Sequence, residues 1–183
     1  MLTSVSMFNW LCRFSPSYAA DTVSITRAQP RDCVAMEQIQ ELSAVGYWEA
    51  ELFSQLLRRQ DIMACVGRSC IVRNGSEESD EKIVGYTLAK KTLDDRAEIL
   101  TIRVLPKYQG RGIGRGLLSA VLSELYRDRV KSAFLEVESS NQKGIKLYRG
   151  MGFVSCSERR SNNKSDIASP PGTVLLMKLS LAE

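Results

Sequence analysis

The 183-residue chain has no histidine. Ser-His-Asp and Cys-His hydrolysis, histidine-ligated zinc or haem, and imidazole acid–base chemistry are therefore excluded together. Its five cysteines (Cys12, Cys33, Cys65, Cys70 and Cys156) are odd in number and form no Cys-x-x-Cys pair. That pattern fits neither a disulfide framework nor a zinc site, and it points to a reducing compartment, the cytoplasm. Long apolar runs are also missing. The N-terminal cluster Phe8, Trp10, Leu11 and Phe14 is too short to span a bilayer, so no membrane association is expected. Neither sign of charge dominates: 25 basic against 21 acidic residues leave a formal +4, too little to argue for a nucleic-acid partner. Chemistry must come from carboxylates, phenols, amines or thiols, and no metal is expected.

The composition that remains, 44% apolar and 25% charged, is ordinary for a soluble domain, and the length suffices for one compact core. Residues 1–20 hold no acid and one base, Arg13. They read as an appendage to a domain formed by residues 21–183, expected to be monomeric. Positive charge concentrates between Arg103 and Lys131, where Arg103, Lys107, Arg111, Arg115, Arg127, Arg129 and Lys131 oppose only Glu124 and Asp128. This stretch is either an anion-facing surface or a solvated helix flank.

Hydrophobic periodicity gives the order of elements. Thr22 to Arg27 alternates as a strand. A helix from Pro30 and Asp32 buries Ala35, Ile39 and Leu42, and a second, Trp48 to Arg59, buries Leu52, Phe53, Leu56 and Leu57. Ile62 to Val72 and Ile83 to Lys90 read as a hairpin around Asn74-Gly75. After Asp94-Asp95 a third strand, Ala97 to Leu105, is expected to turn Leu100, Ile102 and Val104 to one side. A glycine-rich loop then leads into a helix with Leu117, Leu118, Val121, Leu122 and Leu125 on one face. A strand from Ala133 to Glu138, a helix from Gln142 to Gly150, a strand from Phe153 and a last strand, Thr173 to Leu179, complete an α/β chain with a mixed, mostly antiparallel sheet flanked by helices.

The loop Tyr108-Gln109-Gly110-Arg111-Gly112-Ile113-Gly114-Arg115-Gly116 lies between a strand and a helix, where unpaired backbone N–H groups and the helix dipole favour an anion such as phosphate. A dinucleotide fingerprint fails there, because Arg115 and Leu117 stand where the last glycine is required. No Gly-Lys-Ser/Thr of a Walker loop is present either. Gln109-x-x-Gly112-x-Gly114 resembles the Gln/Arg-x-x-Gly-x-Gly/Ala signature of the GCN5-related N-acetyltransferases (GNAT), whose loop holds the pyrophosphate of coenzyme A. Asn141-x-x-Gly144-x-x-Leu147-Tyr148-x-x-x-Gly152-Phe153 resembles a second signature of the family, with glycine in place of the usual alanine. Ala97 to Val104, Tyr108 to Leu118 and Phe134 to Asn141 look like the ribosomal-protein-alanine N-acetyltransferases (RimI-like). Trp48 with Phe53 matches that group's Trp-x-x-x-x-Phe.

The resemblance implies the GNAT fold, acetyl-CoA as cosubstrate and a protein N-terminus, a ribosomal protein's alanine above all, as acceptor. It implies a base at Glu136 and an acid at Tyr148. Carboxylates and phenols suit those roles, although outside the motif Glu136 reads as an exposed strand residue and Tyr148 as a helix-face aromatic. Cofactor contacts are implied for the backbone of Ile102, Arg103 and Val104, for the loop residues Gln109, Gly110, Arg111, Gly112, Ile113, Gly114 and Arg115, and for Asn141. Tyr47, Trp48 and Glu138 are implied on the acceptor side. Glu138 shares strand parity with Glu136, so either is open as the base. Arg159-Arg160-Ser161-Asn162-Asn163 replaces the group's Arg-Arg-Asn-Tyr-Tyr, and Tyr47-Trp48 replaces Pro-Trp; looser reading of the acceptor's second and later residues is expected. Two other readings stay open: a small-amine acetyltransferase (polyamine, amino sugar or amino acid) and a catalytically silent acyl-CoA-binding module.

Overall fold

The computed structural model describes residues 22–42, 48–72, 79–160 and 173–182. Residues 1–20, Tyr47, the Asn74-Gly75 turn and the run Ser161-Asn162-Asn163 lie outside the described residues. Among the described residues seven strands form one sheet in the order β1-β2-β3-β4-β5-β7-β6. They are β1 (Thr22–Arg27), β2 (Ile62–Val72), β3 (Ser79–Lys91), β4 (Arg96–Val104), β5 (Ser132–Glu138), β6 (Val154–Arg160) and β7 (Thr173–Ser180). Helices α1 (Cys33–Glu41), α2 (Ala50–Leu57), α3 (Ile113–Arg127) and α4 (Gln142–Arg149) complete the fold. Every strand pairing is antiparallel except β4 with β5, which the crossover through α3 makes parallel.

Two apolar clusters hold the fold together. Met36 and Ile39 of α1 and Phe53 of α2 pack with Val66, Val84, Tyr86 and Leu88 of the central strands. Leu118, Val121, Leu122 and Leu125 of α3 pack with Leu135 and Val137 of β5, Ile145 of α4, Phe153 and Met177. The five leucine and valine positions expected on one face of α3 are all buried. Beneath α1 a buried ion pair closes the first cluster: Arg68 Nη2 lies 2.7 Å from Asp32 Oδ2, with side chains 8% and 3% exposed. Arg68 Nε also donates to Thr26 Oγ1 (2.9 Å).

One expectation about β4 fails. Its register with β3 jumps from Leu88–Thr101 to Ala89–Ile99, so Leu100 is an extra, bulged residue. Leu100 packs against the first cluster and Ile102 against the second, rather than both turning to one side. The bulge also shifts face parity along the strand, so that Thr101 and Arg103 share a face with their cross-strand partners Leu88 and Tyr86.

Candidate active site

β4 and β5 pair over three residues only, Arg96–Ser132, Ala97–Ala133 and Glu98–Phe134. Beyond them β4 runs on to Val104 bonded to β3, and β5 runs on to Glu138 bonded to β7. The sheet therefore opens into a seam, with strand amides on its lips that need partners from outside. α3 begins at the open end of this seam.

The glycine loop is built around two left-handed residues, Gly110 (φ +76°) and Gly112 (φ +79°). A side chain there would be strained, and nothing lies within 4 Å of where either Cβ would stand. The loop thus presents bare main chain beside the unpaired first-turn N–H groups of α3, a cradle that a Cβ would fill. Gly114 lies inside the first turn of α3, close to Leu147, and Gly116 makes room for Ile25. Gln109 Nε2 donates to Val104 O (3.0 Å), fixing the loop to the end of β4. Lys107 Nζ and Arg111 Cζ lie 5.0 and 5.1 Å from the ring centre of buried Tyr108, which places two cations beside the cradle. Ile113 is buried in the first cluster. Arg115 has a different engagement: its Nη1 donates to Gly150 O (3.1 Å), tying α3 to the end of α4. The positive run does not form one surface, because Lys131 pairs with Asp95 (2.9 Å) away from the loop.

On β5 the alternation is clean. Ala133, Leu135 and Val137 are buried, and Glu136 and Glu138 are exposed on the opposite face. Arg159 of β6 reaches across β7 to place Nη2 2.6 Å from Glu136 Oε2. Glu138 Oε2 accepts from Ser140 Oγ (3.2 Å). Tyr148, on α4, packs edge-on against Phe153 with ring centres 6.0 Å apart. Burial raises its phenol above the ordinary value, and the charge of Arg103 partly offsets the rise. Asn141 caps α4, its Oδ1 accepting from Gly144 N (2.9 Å). A Cβ at residue 144 would come within 2.7 Å of Asn141 Nδ2, so glycine at this position admits the capping side chain. Trp48 is half-buried against Phe53, ring centres 5.7 Å apart, and Phe53 in turn meets Tyr86 edge-on. Thiols offer no nucleophile in the core: burial pushes Cys65 up to about 12 and raises Cys33. Among the described residues no group of three or more Cys, Asp or Glu side chains is placed to hold a metal ion. Two features escaped the sequence reading, the Arg159–Glu136 pair and the side chain of Arg103. Neither strand order nor a bulge leaves a local signal.

A bare main-chain loop leading into α3 at the mouth of a sheet split between β4 and β5 defines the class, a coenzyme A-dependent acyltransferase. Residues 33–153 match the model of the acetyltransferase (GNAT) family, and the chain belongs to that family. Acetyl-CoA is accordingly its donor. The chain is 30% identical over 100 residues to the [ribosomal protein bS18]-alanine N-acetyltransferase of Escherichia coli, an alignment covering 55% of this chain and 67% of that one. It is 34% identical over 79 residues to mycothiol acetyltransferase of Streptomyces griseus, covering 43% and 26%. The crystal structure of the ribosomal-protein-S18-alanine N-acetyltransferase of Escherichia coli superposes with a TM-score of 0.70 at 25% identity, covering 88% of this chain and 95% of that chain.

Proposed function

We propose that this protein transfers the acetyl group of acetyl-CoA to the N-terminal α-amine of a protein, with the N-terminal alanine of a ribosomal protein as the leading acceptor and the cytoplasm as its compartment. The observation that supports this reading is a carboxylate on the β5 lip of the seam, Glu136, together with a partly buried phenol on α4, Tyr148. The glycine loop and the first-turn amides of α3 bind the pyrophosphate. The open lip of β4, Ile102 to Val104, pairs with the pantetheine arm and directs a main-chain N–H at the thioester oxygen, where charge develops. Glu136 takes the proton from the acceptor ammonium. The freed amine attacks the thioester carbon; as the C–N bond forms the nitrogen gives up its second proton to solvent, and the C–S bond breaks. Tyr148 donates its proton to the departing thiolate and is reprotonated from solvent. The transfer is direct and uses no covalent enzyme intermediate.

The likeness to mycothiol acetyltransferase favours a second reading, a small-amine acceptor. Coenzyme A release measured across N-terminal peptides, spermidine, an amino sugar and free amino acids separates the two. The proposal expects an alanine- or serine-initiated peptide to have the highest kcat/KM; spermidine or a lysine ε-amine well above every peptide overturns it.

A further inference from the structure

Arg103 puts a cation on the β4 lip of the seam. It stands on β4 beyond the last β4–β5 pair, and its cross-strand partner is Tyr86. It therefore points to the sheet face of Tyr86, the face opposite Ile102 and α3. Parallel pairing at Glu98–Phe134 puts Phe134 on that same face, and with it Glu136 and Glu138. One lip of the opening thus carries a guanidinium and the other two carboxylates. Arg103 is half-buried, and its Nε is fully buried with no hydrogen-bond partner among the described residues. Its charge reaches two phenols, Tyr86 of β3 and Tyr148 of α4, and it opposes the effect of burial on both. A buried donor without a partner is unfavourable in the free protein. The gain comes when a ligand supplies the acceptor atom.

Resting on the N-terminal acetyltransferase reading above, we propose that the Arg103 side chain selects α-amines by donating to the carbonyl oxygen of the acceptor's first residue while the glutamates of β5 face its amine. An N-terminal residue carries its amine and its carbonyl group on the same carbon, positive end and negative end, in the polarity of the two lips. A lysine ε-amine or a polyamine has no such oxygen and leaves Arg103 unpartnered. Glu136 is partly engaged by Arg159, which leaves Glu138 as the second carboxylate facing the amine.

The test uses the full chain, acetyl-CoA and two acceptors: an alanine-initiated tetrapeptide and the same peptide with its first C(=O)–NH replaced by an E-alkene. Wild-type protein is expected to prefer the natural peptide in kcat/KM by roughly 10- to 100-fold, the effect of one hydrogen bond to a charged donor. Arg103→Met should erase most of that preference by raising KM for the natural peptide, and Arg103→Lys should restore part of it. Preference unchanged in Arg103→Met overturns the inference and leaves the function standing. If the variants fail to fold by circular dichroism, equal wild-type rates on the two acceptors still overturn it. Wild-type activity on spermidine with none on any peptide overturns both.

Discussion

Replacing Glu136, the proposed base, by glutamine isolates the proposed proton-transfer step from the rest of the protein. The amide keeps the volume of the side chain and removes its capacity to take a proton. The structure argues that little else changes. Glu136 is 43% exposed and its partner Arg159 63% exposed, so both remain solvated when the pair is broken, and the melting temperature should be unaltered. Coenzyme A affinity should be unaltered too, since its proposed cradle lies at Gly110 to Gly114. The loss should fall on kcat: a positioned general base contributes roughly 10²- to 10⁴-fold, or about 3–5 kcal/mol of barrier. Coenzyme A release on an alanine-initiated peptide, with acetyl-CoA affinity by calorimetry, measures the two quantities separately. Tyr148→Phe should behave in the same way. Because burial raises the Tyr148 phenol, its protonated form persists above the ordinary value, so the wild-type rate should not fall through loss of this proton at mildly alkaline pH. A loss below tenfold in Glu136→Gln, with a large loss in Glu138→Gln, would refute the assignment and name Glu138 as the base.

Gly112→Val should weaken coenzyme A binding more than tenfold, because the new side chain fills the cradle, and should cost roughly 1–2 kcal/mol of stability for a left-handed non-glycine residue; calorimetry showing unchanged affinity in a folded variant would remove the loop from the site. Among the described residues, Asp32→Ala leaves Arg68 buried with Thr26 and the more distant Glu81 (3.5 Å). Breaking such a pair costs about 3–5 kcal/mol, so thermal denaturation should shift down by roughly 10 °C; a shift under about 2 °C contradicts it.

Much of this arrangement is legible in the chain because periodicity is local. The alternation of Ala133, Leu135 and Val137 with Glu136 and Glu138 sets the faces of β5, and the spacing Leu117, Leu118, Val121, Leu122, Leu125 sets the buried side of α3. The glycine run marks the cradle, although only Gly110 and Gly112 use a positive φ. What stays illegible depends on partners distant in sequence. The bulge at Leu100 involves no glycine or proline and is fixed by register with β3. The contact of Arg159 with Glu136 requires β7 to lie between β5 and β6. The split between β4 and β5 is a failure of pairing, which no residue type in either strand announces.

The acceptor panel tests the central claim most directly. Wild-type protein with acetyl-CoA is offered peptides beginning with alanine, serine, glycine and methionine, a peptide with a blocked N-terminus and a free lysine, and spermidine, and the acetylated atom is identified by tandem mass spectrometry. The account predicts acetyl on the α-nitrogen of the alanine and serine peptides and none on the blocked peptide. Acetylation of the blocked peptide's lysine or of spermidine ahead of every α-amine would contradict it.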